Sequence, residues 1–211
     1  MSRKAARGRK PGLGPASADE GPWLEPGEAK PGLLLFADEP APSLEPALAS
    51  GAVAAIVVPP KAVAAWRDLC RRFGMALLAR DEPDAEADGV HLAAAAEVAA
   101  ARARLGRDAV IGASCGRSRH AGMVAGEAGA HYVMFGDLDR AGEAGDELFE
   151  LVGWWSELFV IPCAAAVLPD PDLAAGLVAS GADLVAIAAA VGDPERIVAV
   201  ADAVAAVGMG S

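Results

Sequence analysis

From residue 33 onward, short apolar runs alternate with stretches of helical spacing. Leu33-Leu34-Leu35-Phe36-Ala37-Asp38 is an unbroken apolar run closed by an acid, and Val53 to Val58 is a second, closed by Pro59-Pro60. Between them Pro42 to Ser50 reads as a short helix stopped by Gly51. Lys61 to Phe73 has apolar residues at 63, 66, 69, 70 and 73, the spacing of one helix face, and Gly74 stops it as a C-cap. Further strands are predicted over Met75–Ala79, Gly89–Leu92, Ala109–Ser114, His131–Phe135, Phe159–Cys163 and Leu184–Ala188. Helices are predicted over Ala93–Leu105, Ser118–Ala128, Asp146–Trp155, Pro171–Ser180 and Pro194–Val207, with Gly106, Gly129 and Gly181 closing three of them.

The apolar runs are continuous, not alternating. A strand of that kind is buried on both faces, which is the condition of a parallel sheet covered by helices. Eight strand–helix units within residues 31–211 favour a single-domain α/β fold, a TIM (β/α)8 barrel. The rival is an open doubly wound sheet. It would carry a glycine-rich phosphate loop after its first strand, where this chain reads Asp38-Glu39-Pro40. Residues 1–30 are rich in Pro, Gly, Ala and charge and show no apolar period, so they read as a disordered, basic-to-mixed N-terminal extension.

Composition narrows the function classes. The 211 residues are 54% hydrophobic but only 5% aromatic, so Ala and Val fill the core. The net charge is −11, and an acidic body repels a phosphate backbone, which argues against nucleic acid as a partner. The basic start, Arg3, Lys4, Arg7, Arg9 and Lys10, reads as a solvated tail. No apolar run spans a membrane and no apolar segment follows the basic start, so neither a membrane partner nor a secretory signal is expected. Three cysteines, Cys70, Cys115 and Cys163, without CxxC spacing, imply neither a disulfide framework nor a zinc site. They fit a reducing, cytoplasmic compartment.

In such a barrel the chemistry sits at the C-terminal strand ends, and here the chain resembles a known family. Ala87-Asp88-Gly89-Val90-His91-Leu92 is similar to the "ADGVHL" that thiamine phosphate synthases and the related thiazole tautomerases carry at strand four. Val110-Ile111-Gly112-Ala113-Ser114 is similar to their "IIGVS". Gly129 to Gly136 is similar to "GADYVxFG", and Gly181 to Ile187 to "GADGVAV". The motifs keep order and spacing from about residue 33 to 205. The resemblance implies a protein of thiamine biosynthesis that joins a pyrimidine pyrophosphate to a thiazole phosphate and releases pyrophosphate. Its implied partners are small phosphorylated heterocycles and its implied cofactor is Mg2+. It places Lys61 on pyrophosphate, Asp81 on Mg2+, Ser114 near the pyrimidine or pyrophosphate, and Gly136 at the opening of the sixth loop.

The chain departs from that pattern at several positions. The glutamine and arginine of strand two are Val57 and Pro59, and the asparagine before Asp81 is Arg80, which can itself hold a pyrophosphate. Ala93-Ala94-Ala95-Ala96 replaces the run holding a second Mg2+ carboxylate, with Glu97 one residue beyond. The phosphate turn aligns with Ala165-Ala166, the strand-eight serine with Ala189, and the tautomerase's histidine with Asp137. A Cβ in a phosphate turn blocks close backbone approach, so weak or absent synthase activity is expected. Two alternatives stay open. One is a catalytically inactive barrel that binds a phosphorylated or heterocyclic small molecule or a protein partner. The other is a thiazole phosphate tautomerase using Asp137 or Asp81 as base.

Plainer roles stand beside these. His91 is expected to be a hydrogen-bonded structural histidine, Cys163 a small apolar packing group, and Asp137 and Asp139 a solvated loop instead of a metal pair. Ser114 lacks an evident His–acid partner for nucleophilic catalysis. Trp154-Trp155 is expected to pack against the barrel, and an exposed member would mark a contact in a homodimer.

Overall fold

The computed structural model describes residues 31–143, 145–189 and 193–209, with 12–13 and 23–24 ahead of them. Eight parallel strands close into a barrel: β1 Gly32–Phe36, β2 Val53–Val58, β3 Ala76–Arg80, β4 Gly89–Leu92, β5 Val110–Gly116, β6 Tyr132–Phe135, β7 Cys163–Ala166 and β8 Leu184–Ala188. Closure is made by β8 against β1, with Leu184 opposite Gly32 and Ala188 opposite Phe36. Seven α-helices are described: α1 Glu45–Ala49, α2 Val63–Phe73, α3 Val98–Leu105, α4 Arg119–Glu127, α5 Asp146–Leu158, α6 Pro171–Ala179 and α7 Pro194–Met209. The acidic link from β3 to β4 contains Pro83 and an Asp84 side chain that accepts from the Glu86 N–H; it forms turns and no helix. None of the described helices is long and apolar enough to cross a membrane.

Both faces of each strand are buried, which is why the apolar runs are unbroken. One set of side chains, including Leu34, Phe36, Val57, Leu78, Tyr132 and Met134, packs in one cluster. The alternate set, including Leu35, Ile56, Leu77, Val133 and Ile187, packs in a second with the helices through Trp66, Leu148, Trp155 and Leu177. The period-2 alternation of a strand therefore divides each apolar run between barrel interior and helix layer. Local signals agree with the helix starts. Ser118 caps α4 by accepting from the Ala121 N–H, and Asp170 caps α6 by accepting from Asp172 and Leu173, with Pro171 at the first helical position.

The "AD" and "AH" motifs do their work at the opposite end from the candidate site. Asp88 and Asp183, each just ahead of a strand, accept the N–H of Leu77 and of Cys163 on the preceding strand. His131 stands in the same position before β6 and accepts the Ile111 N–H on Nδ1 at 3.1 Å. Arg102 donates to that same nitrogen at 2.9 Å and to the carbonyls of Gly106, Ala109 and Gly129. Burial, and then Arg102, lower the His131 pKa to about 4, so the ring is a neutral acceptor.

One strand differs from the sequence reading. The seventh strand is Cys163–Ala166, not Phe159–Cys163. Phe159 stacks on Trp155 at 4.0 Å between ring centroids, and the Trp155 indole donates to the Ile161 carbonyl. These contacts tie the apolar segment to α5, and Pro162, which has no N–H, precedes the first ladder residue. Of residues 1–30, Gly12–Leu13 and Trp23–Leu24 form a two-residue antiparallel ladder. The rest of the segment expected to be disordered lies outside the described residues.

Candidate active site

The inward residues at the C-terminal strand ends surround a cavity of about 510 Å³. Phe36 of β1, Arg80 of β3, His91 of β4, Ser114 of β5, Met134 of β6 and Ala188 of β8 form its floor and walls. Asp38, Asp81, Gly136, Asp137 and Asp139 come from the loops above. The register explains the convergence. Arg80 lies opposite His91, His91 opposite Gly112, and Gly112 opposite Tyr132, so one continuous row of inward positions crosses four strands.

His91 is the centre of that row and is 2% exposed. Its Nδ1 lies 2.7 Å from the Tyr132 hydroxyl and its Nε2 lies 3.0 Å from Ser114 Oγ. The Phe36 ring meets it edge-on at 5.0 Å. Gly112 makes this contact possible, since a Cβ there would occupy the space of the Tyr132 ring. Burial, then the nearby Arg80 charge, hold the His91 pKa down at about 3, and burial pushes the Tyr132 phenol upward. Both groups are neutral around pH 7. The Ser114–His91 pair is thus present, but its third member is a phenol and not a carboxylate. An imidazole with so low a pKa is a weak base, so the arrangement does not activate Ser114 as a nucleophile. Neighbouring Cys115 is buried and its pKa is raised to about 12, which leaves it a thiol.

Arg80 is the cation of the cavity wall. Its guanidinium lies 3.6 Å from Asp38 and 5.8 Å from the centre of the Phe36 ring, and its Nε is buried with no hydrogen-bond partner among the described residues. Asp81 follows it with φ +63, a left-handed backbone that Asp tolerates better than most residues. The turn is held from both sides. The Asp81 N–H donates to the His91 carbonyl, and Asp81 Oδ1 accepts the Ala93 N–H at 2.8 Å. Gly136, at φ +85, donates its N–H to the Gly116 carbonyl across the rim. β5 carries a register shift between Ser114 and Gly116, an irregularity of the kind often found beside active sites.

The expected site residues are distributed unevenly. Arg80, Asp81, Ser114 and Gly136 line one cavity. Lys61 does not line it; it is exposed on the single 3-10 turn Pro60–Ala62 that follows β2. Ala165 and Ala166 lie inside β7, 0% and 1% exposed, because the strand starts four residues later than the sequence suggests; the expected phosphate turn is strand there. Ala189 is half-buried just past β8, and its neighbour Ala188 reaches the cavity instead. Tyr132 and Met134 were not anticipated as site residues, although strict alternation from Phe135, which belongs to the helix-facing set, places both inward. Trp155 is fully buried, and Trp154 packs under the Arg119 guanidinium at 4.7 Å.

The donor set bears on Mg2+. Among the described residues no group of three or more His, Cys, Asp or Glu side chains surrounds a common point. Mg2+ keeps waters and takes one or two protein carboxylates together with phosphate oxygens. Asp81, with one oxygen engaged by Ala93, fits an ion that arrives on a pyrophosphate, not one enclosed by protein.

Comparison with known proteins agrees with the motifs. A family model described as thiamine monophosphate synthase matches residues 47–191, more than half of the chain. A thiamine-phosphate synthase of Rhodospirillum centenum is 35% identical over 164 residues, covering 70% of this chain and 79% of that protein. One from Erythrobacter litoralis is 46% identical over 112 residues, 50% of this chain and 53% of that protein, so the match spans about half of that relative's length. A solved structure, thiamine phosphate pyrophosphorylase from Pyrococcus furiosus, shares the fold with a TM-score of 0.66 at 23% identity, over 83% of this chain and 96% of the other.

Proposed function

Because the chain belongs to the thiamine monophosphate synthase family, we propose that it acts in thiamine biosynthesis, joining a pyrimidine pyrophosphate to a thiazole phosphate with release of pyrophosphate. The observation that carries this reading is the meeting of Arg80 and Asp81 from the end of β3, Ser114 from β5 and Gly136 from the end of β6 around one cavity. An Arg guanidinium is the side chain suited to a phosphate by charge and bidentate geometry, and Arg80 lines the cavity. Phe36, Met134 and the neutral His91 ring give the flat, largely apolar floor that an uncharged heterocycle needs.

In this reading Arg80 anchors the pyrophosphate and withdraws charge as the carbon–oxygen bond breaks. Ser114 orients the pyrimidine or its leaving group from the floor. Asp81 is the protein carboxylate for Mg2+, which when bound neutralises the departing pyrophosphate. Lys61 closes on the pyrophosphate from the rim only if its side chain turns inward. Cys70 and Cys115, both buried free cysteines, fit a reducing compartment such as the cytoplasm.

A second reading, binding of such a heterocycle without turnover, is favoured by the surplus of acid. Asp38, Asp81, Asp137 and Asp139 share the cavity with Arg80, and carboxylates beside a phosphate repel it. Purified protein given Mg2+, pyrimidine pyrophosphate and thiazole phosphate should form thiamine phosphate, and Asp81→Ala should abolish the product. Binding of either substrate without product selects the second reading. Neither product nor binding overturns both.

A further inference from the structure

The Tyr132 hydroxyl is fully buried, and its one described partner is His91 Nδ1. A buried phenol proton left without an acceptor is costly, so the hydroxyl donates to Nδ1. Nδ1 is then the bare nitrogen of the ring, and the single imidazole proton must sit on Nε2. Nε2 faces Ser114 Oγ at 3.0 Å and donates to it. Ser114 Oγ, accepting from the histidine, keeps its own proton free, and its side chain lines the cavity. In the opposite polarity Ser114 would donate to Nε2, Nδ1–H would donate to Tyr132, and the phenol proton would be stranded in the barrel interior.

We propose that Tyr132, acting through His91, frees the Ser114 hydroxyl proton for donation to the ligand, so that this part of the floor favours an acceptor atom such as a ring nitrogen, a carbonyl or a phosphoryl oxygen. Tyr132 is a positioning residue here. It sits one layer below the cavity, is absent from its lining, and is brought to His91 by the missing side chain at Gly112. The proposal rests on the reading of this cavity as the substrate site and adds the polarity of one of its contacts. The second Ser114 Oγ lone pair can still accept from a ligand donor, so the polarity sets a preference for acceptors and not an exclusion of donors.

The test uses the full chain labelled with 15N histidine. Long-range 1H–15N spectra of the ligand-free wild type should show His91 Nδ1 unprotonated and Nε2 protonated, with the minor tautomer below roughly one part in ten. Tyr132→Phe keeps the ring and removes only the hydroxyl; it should mix the two tautomers. Titration with inorganic pyrophosphate in Mg2+ supplies the ligand readout. Tyr132→Phe should weaken its binding roughly threefold to tenfold, and the same change in a Ser114→Ala background should have no further effect. A merely structural Tyr132 would give additive losses and an unmoved tautomer. A wild-type His91 protonated on Nδ1 overturns the proposal, whatever the ligand data. If the tautomer is as stated and no thiamine phosphate is made, the polarity stands and the assigned activity falls.

Discussion

Acid should weaken this barrel through His91 well before most carboxylates titrate. The ring is 2% exposed and holds its neutral form with a pKa near 3, against 6.5 in the unfolded chain. Because the folded value lies below the unfolded one, the unfolded state binds the proton first. The stabilisation is complete above pH 6.5 and is lost progressively as the pH falls toward 3. Between pH 7 and pH 5 the loss depends on the unfolded value alone, since the folded ring stays neutral throughout that window. About one and a half pH units below 6.5, at 1.36 kcal/mol each, come to about 2 kcal/mol. The assay is urea unfolding of wild type and His91→Gln at pH 7 and pH 5. The variant loses its contacts with Tyr132 and Ser114 and should be less stable at pH 7. Its further loss on going to pH 5 should be smaller than that of the wild type by about 2 kcal/mol. Equal losses in the two proteins would refute the argument, as would a His91 ring that takes up its proton above pH 5 in an NMR titration.

Other consequences can be measured with the same unfolding experiments. His131→Asp keeps an acceptor for the Ile111 N–H, should change stability at pH 7 by less than about 1 kcal/mol, and should flatten the acid dependence between pH 6.5 and 4, because a histidine held near pKa 4 loses its contribution as pH falls; an unchanged profile counts against the strand-start role. Arg102→Met strips donors from the Gly106, Ala109 and Gly129 carbonyls and from His131, and should cost about 2–3 kcal/mol, reduced where water reaches the freed carbonyls; a loss below about 0.5 kcal/mol would show that those carbonyls were never dependent on it. Gly112→Ala puts a methyl group into the Tyr132 ring, should cost about 1–3 kcal/mol, and should disturb the His91 tautomer together with the fold; wild-type stability would mean that the interior has slack at that layer.

That Arg80, Asp81 and Ser114 share one cavity was readable from the chain. The Arg80-Asp81 pair closes a strand and Ser114 closes the next but one, so a parallel barrel had to carry them to the same end. Lys61 shows where that reasoning stops. Being at the C-terminal end of β2 put it at the correct end of the molecule, but a Pro60–Ala62 turn leaves its side chain exposed and off the cavity. The misplacement of β7 has a similar cause. Phe159, Val160 and Ile161 have the composition of a strand, but Phe159 packs on Trp154 and Trp155, the Ile161 carbonyl accepts from Trp155 and Val160 stays exposed, so the segment is a connection beyond α5.

The order of elements, the parallel sheet and the end at which the cavity opens were legible in the chain itself, since unbroken apolar runs separated by glycine-stopped helices call for parallel strands covered on both faces, and the missing glycine-rich loop after the first strand counted against the open form. The tertiary structure alone decided which side chains meet across strands. His91, Ser114 and Tyr132 are separated by 18 or more residues in sequence, and no local pattern states that the gap at Gly112 lets a phenol reach an imidazole. Register and closure set those distances, and with them the neutral histidine that governs the polarity of the cavity floor.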